Sequence, residues 1–204
     1  MTLERKITAV DGNDPKIRSL YQTAFPKKEH MSWKSLKEYI KDWKFDVTTY
    51  YEGDVFIGFT IVYPRQPFYW VWYFAVREDI RGQGYGQSVL SEFLEKYKGK
   101  TVIIDIESPE QVCNNMETRH RRHAFYLRNG FRDTGVEFSE KGIDYTFMVI
   151  GEGTFTREDY DDIINEFGWL SYITAKMKLG IMVMKEKAVK MLDYLKAYLH
   201  MSTH

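Results

Sequence analysis

The segment Phe68–Val76 reads Phe-Tyr-Trp-Val-Trp-Tyr-Phe-Ala-Val, apolar at both alternating sets of positions. A strand of this kind belongs at the centre of a sheet that is covered on both faces. Shortly after it comes Arg81-Gly82-Gln83-Gly84-Tyr85-Gly86, then a stretch with Val89, Leu90, Phe93, Leu94 and Tyr97 at helical spacing, ending at Gly99. A central strand, a glycine turn and an amphipathic helix in direct succession predict a mixed α/β fold, with helices packed on a sheet.

The flanking sequence extends that reading. Residues 5–10 have strand character, and Asp14-Pro15 supplies an N-cap followed by proline at the first helical position. Ile17, Leu20, Tyr21 and Ala24 then fall on one helical face before Pro26, and Ser32 can cap a second helix with Trp33, Leu36, Tyr39, Ile40 and Trp43. Val47–Tyr51 and Val55–Tyr63 flank Glu52-Gly53-Asp54 as a hairpin, and Pro64-Arg65-Gln66-Pro67 turns the chain into the central strand. Thr101–Glu107 reads as a strand, a helix runs to Asn129 before Gly130, and strands follow at about 134–139 and 143–150. The predicted order is βααβββαβαββ over residues 1–150. Residues 151–204 are expected to form a helical C-terminal extension, in which Trp169, Leu170, Ile173, Met177, Ile181 and Val183 need burial, against the core, a second copy (a homodimer) or a partner.

Composition narrows the function classes. Lys+Arg and Asp+Glu number 29 each, so no net charge draws the chain to nucleic acid or to an anionic membrane. The lone cysteine, Cys113, excludes an intrachain disulfide and a four-cysteine zinc site. With a charged N-terminus and no apolar run of membrane-spanning length, the expectation is a cytoplasmic protein, with neither nucleic-acid nor membrane partners.

The glycine turn is the chemically informative element. Exposed backbone N–H groups at a helix start form an anion cradle, and glycine lets that backbone approach a phosphate. Three familiar phosphate loops fail here. The dinucleotide fingerprint would need a glycine at Gln87, no Gly-Lys-Ser/Thr follows the turn at Walker spacing, and no His-Arg-Asp segment exists. What remains is R-x-x-G-x-G at Arg81, Gly84 and Gly86. A ligand-free strand-to-helix turn has the same composition. A second segment, Arg119 to Phe131, contains Y-x-x-x-G-F at Tyr126, Gly130 and Phe131. Together, in this order and spacing, the two segments resemble the GNAT superfamily of acetyl-CoA-dependent N-acetyltransferases.

That resemblance covers residues 5 to 150 and implies a GNAT-like mixed central sheet flanked by helices. It implies acetyl-CoA (coenzyme A) as co-substrate, with the pyrophosphate on the amides of Gly82, Gln83, Gly84, Tyr85, Gly86 and Gln87 beside Arg81. Pantetheine would lie between splayed strands, bonded to the backbone of Phe74, Ala75 and Val76. Tyr126 falls on the position of the family's general-acid tyrosine, and a phenol (pKa ~10) can protonate a departing thiolate (pKa of the thiol ~8.5). A tyrosine merely packed on its helix is the competing reading. Glu107, at the strand end where the splay should open, is expected as the base, against a solvated strand-end carboxylate.

The sequence departs from the family's common pattern at Arg119 and Arg122, which share the helix face of Tyr126. They would meet a coenzyme phosphate or an acidic group on the acceptor, or else pair with Glu117 or Asp105. Arg119 is expected at the coenzyme. His120 and His123 near Cys113 lack the further ligands of a metal site, so no metal is expected. The expected activity is acetyl transfer from acetyl-CoA to a primary amine, with a small-molecule acceptor. The alternatives are acetylation of a protein amine, a non-catalytic coenzyme-A-binding or interaction module, and a nucleotide-binding regulator.

Overall fold

The computed structural model describes residues 3–7, 14–25 and 31–168, together with Met184. Its elements follow the order read from the sequence: β1 (Glu4–Ile7), α1 (Pro15–Ala24), α2 (Trp33–Asp42), β2 (Asp46–Glu52), β3 (Val55–Arg65), β4 (Phe68–Val76), α3 (Tyr85–Lys96), β5 (Thr101–Glu107), α4 (Met116–Arg128), β6 (Arg132–Glu140) and β7 (Ile143–Ile150). The helix starts are set by the caps anticipated: Asp14 accepts from the Lys16 N–H at 2.8 Å, and Ser32 from the Ser35 N–H at 3.1 Å. Gly130, at φ 87°, ends α4 in a conformation that side chains disfavour.

All seven strands form one sheet in the order β1-β2-β3-β4-β5-β7-β6. Every pairing is antiparallel except β4 with β5. On one face α3 and α4 bury Val89, Leu90, Phe93 and Tyr126 against Val71, Val102, Ile104, Ile106 and Met148. On the other face the packing is aromatic. Tyr21 of α1 sits edge-on to Tyr73 with centroids 4.9 Å apart, and Tyr39 of α2 lies 5.7 Å from Trp72. A β-bulge in β4, where Ile61 faces Tyr73 but Val62 faces Val71, lets Trp70, Trp72 and Tyr73 all turn toward α1 and α2.

Gly58 fixes how closely β3 holds the end of β4. A Cβ at this position would lie 2.2 Å from the Ala75 carbonyl oxygen, which no side chain can tolerate. Gly58→Ala is expected to destabilise the fold by about 1–3 kcal/mol, since β4 must move to make room. Urea unfolding at equilibrium checks this, and an unchanged midpoint would contradict it.

Contacts divide the chain into two units, Met1–Thr156 and Arg157–His204. In the first, Phe155 packs edge-on to Phe68 and tilted against Phe147. In the second, residues 157–168 are helical. The apolar positions from Trp169 onward, expected to pack or to dimerise, lie outside the described residues, as do residues 8–10 of the first expected strand. Among the described residues, no helix is long and apolar enough to cross a membrane.

Candidate active site

The parallel ladder between β4 and β5 covers only Phe68–Val71 and Thr101–Ile104. Beyond that point β4 pairs with β3 alone and β5 with β7 alone, so the strands part, as the resemblance implies. The bulge at Trp72 sits where they separate, and it bends β4 away. A cleft of about 490 Å³ opens there, lined by β4, β5, the glycine turn and α4.

Backbone polarity inside this cleft follows from strand alternation. The Arg77 N–H donates to the Ile57 carbonyl at 3.0 Å, so residues 73, 75 and 77 turn their amides toward β3. The amides and carbonyls of Phe74 and Val76 therefore face the splay. Of the three residues expected to meet a ligand through the backbone, the alternation presents Phe74 and Val76 and turns Ala75 away, although Ala75 also lines the cleft.

The glycine turn closes one end. Gly82 and Gly84 have φ of 80° and 85°, and no atom lies within 4 Å of where a Cβ would stand at Gly82, Gly84 or Gly86. The first helical bond of α3 runs from the Ser88 N–H to the Gly84 carbonyl, which leaves the N–H groups of Tyr85, Gly86 and Gln87 without intrahelical acceptors. The turn is tied down at both ends. The Tyr85 hydroxyl donates to Glu52, and the Asn129 amide donates to Gln87 at 3.1 Å. Arg81, Arg121, Arg122 and Arg128 line the same cleft, which concentrates positive charge in a chain of zero net charge. Open glycine backbone, orphan donors and guanidinium groups together suit a phosphorylated ligand. Gln83 is exposed on the turn.

Tyr126 lies on α4 in the cleft wall, 4% exposed. Its ring is held edge-on by Phe125 and Phe131, at centroid distances of 5.3 and 5.2 Å. Burial pushes the phenol well above its ordinary pKa, while the Arg122 charge pulls it down and Asp105 adds a smaller upward push. The group is therefore protonated at neutral pH.

Glu107 is not a solvated strand end. It is 5% exposed, and both oxygens are occupied. Arg119 Nη2 lies 2.8 Å from Oε1, Arg122 Nη1 lies 2.8 Å from Oε2, and the Asn115 amide donates to Oε1 at 3.2 Å. Arg119 also donates to the Ser108 carbonyl and to Gln111 Oε1. At 4% exposure it is tied to the loop after β5, and it is not among the described residues that line the cleft. The arginines do share the face of Tyr126, but that face meets Glu107, not Glu117 or Asp105. Arg122 reaches both the carboxylate and the cleft.

Four residues that line the cleft were not assigned to the site from the sequence: Phe25, Asp105, Arg121 and Arg128. The signal for Asp105 was present, a lone carboxylate inside the apolar strand Val102–Ile106. Among the described residues, no three His, Cys, Asp or Glu side chains converge as a metal site, and His123 pairs with Asp133 at 2.7 Å.

Residues 44–133 match the family model of the acetyltransferase (GNAT) domain. The matched segment runs from β2 into β6, so it includes the splay, the glycine turn, the end of β5 and Tyr126. Solved structures share the fold. A protein assigned to the GNAT family of acetyltransferases from Bacteroides thetaiotaomicron is 24% identical, with a TM-score of 0.67 over 81% of this chain and 95% of its own. The ribosomal-protein-S18-alanine N-acetyltransferase from Escherichia coli is 14% identical, with a TM-score of 0.55 over 76% and 97%. A GNAT family acetyltransferase from Elizabethkingia anophelis, solved with acetyl-CoA bound, is 17% identical, with a TM-score of 0.54 over 74% and 98%. No curated protein matches the chain.

Proposed function

We propose that the protein is a GNAT acetyltransferase that moves the acetyl group of acetyl-CoA directly to a primary amine of a small molecule. One observation carries the reading. The strand splay ends on an open glycine cradle at one side and holds a buried, protonated phenol in its wall. Gly82–Gln87, with Arg81, would hold the pyrophosphate, and Arg121 and Arg128 would meet the remaining phosphate charge. Pantetheine would lie along Phe74 and Val76, whose backbone groups face the splay.

The neutral amine attacks the thioester carbonyl, whose oxygen draws on a backbone N–H near Val76. The nitrogen gives one proton to solvent water, and the C–S bond breaks as Tyr126 protonates the departing sulfur. The products are an amide and free coenzyme A, and solvent restores the phenol. Burial raises the phenol pKa, but the same low dielectric raises the proton affinity of the departing thiolate, so the transfer stays feasible. Glu107 receives no base role in this reading, because both of its oxygens are already engaged by two guanidinium groups and an amide.

We place the activity on residues 1–150, with 151–204 as an extension that offers a homodimer contact, and we assign the protein to the cytoplasm on its single cysteine. The test is amine-dependent release of free thiol from acetyl-CoA across a panel of primary amines. Release that requires both substrates supports transfer. Coenzyme binding with no release on any amine would favour the non-catalytic module.

A further inference from the structure

Among the described residues, the carboxylate of Asp105 stands in the cleft without a cation. Trp70 Nε1 donates to its Oδ1 at 2.6 Å, reaching across the point where β4 and β5 part. Among the described residues, no Lys, Arg or His nitrogen lies within ion-pair distance of it. Two residues further along the same strand, Glu107 holds two arginines. A largely buried charge without a partner is costly, and a fold retains one where a ligand supplies the partner. Asp105 is also the only acidic side chain among the described residues that line the cleft, and Phe25 and Trp72 line it as well. One anion beside aromatic faces suits one ammonium on an apolar body.

We propose that Asp105 is the counter-ion of the acceptor's ammonium, and that the acceptor is a primary amine with a single positive charge on an aromatic or aliphatic body. This rests on the functional reading above. Polyamines leave further ammonium groups facing the arginines of the cleft. Amino acids bring a carboxylate toward Asp105 itself. Burial supports the assignment, since it raises the Asp105 pKa to about 6, and a bound cation would relieve that cost. The titratable or charged groups around it are Tyr73 on β4, Glu107 on β5, Arg122 and Tyr126 on α4, and Glu140 on β6.

Steady-state thiol release with 2-phenylethylamine, isoamylamine, spermidine and lysine tests the inference. The two monoamines are expected to give the highest kcat/KM. Asp105→Asn should raise the monoamine KM about 30-fold or more and leave the acetyl-CoA KM unchanged. In the wild type the monoamine KM should rise as pH falls through about 6, because the protonated carboxyl no longer attracts a cation. The Asn variant should lack that limb, whereas a limb owed to Glu107 or Glu140 would persist in it. If Asp105→Asn fails to fold, Trp70→Phe, which frees the carboxylate from its tether, should raise the same KM selectively. An unchanged amine KM in these variants, or a preference for spermidine or lysine, overturns the inference and leaves acetyl transfer standing. Absence of thiol release with every amine overturns the functional reading itself.

Discussion

Tyr126→Phe is expected to lower kcat by about a hundredfold or more while leaving acetyl-CoA affinity as it was. The substitution removes one oxygen from a ring whose position depends on Phe125 and Phe131, so the wall keeps its shape. What disappears is the proton that accompanies the departing sulfur. A packed tyrosine with no chemical part would give the opposite pattern, unchanged turnover with at most a small loss of stability. Separate measurement of kcat and of coenzyme Kd distinguishes the two.

The second large effect concerns stability. Glu107→Ala leaves Arg119 buried with its principal charge partner gone, and removing one member of such a pair costs about 3–5 kcal/mol. At roughly 2–4 °C per kcal/mol for a chain of this size, Tm should fall by about 6–20 °C. Adding Arg119→Met to the same protein should recover part of the loss, because the stranded guanidinium is then absent. If Glu107 served instead as a free base, Glu107→Ala would abolish turnover at nearly the wild-type Tm. Differential scanning calorimetry on the single and double variants separates these outcomes.

Much of the fold was legible because the local signals agreed. Asp14-Pro15, Ser32, Gly99 and Gly130 mark ends of elements through mechanisms that act within a few residues, and the two-faced apolar run at Phe68–Val76 can only be a central strand. The glycine turn was legible for the same reason. The fate of the charged side chains was not. Arg119, Arg122 and Tyr126 could be placed on one helix face by spacing. Which strand residue that face would meet depends on the register of β5 against β7 and on the loop carrying Asn115. That is tertiary information, and it turned Glu107 from an open strand end into the centre of an ion-pair cluster. The bulge at Trp72 was equally invisible, since alternation in an all-apolar strand carries no mark of a register shift. It decides which aromatic rings face α1 and α2, and therefore the character of the wall opposite Tyr126.

The most direct test of the central claim is thermal unfolding with acetyl-CoA, with ATP and NAD as controls. A ligand at about 100 times its Kd adds about 2.7 kcal/mol to stability. A specific rise of about 5–10 °C in Tm with acetyl-CoA is therefore the expected result. A rise with ATP alone, or none with acetyl-CoA at saturating concentration, would contradict the assignment of the splay and its glycine cradle to coenzyme A.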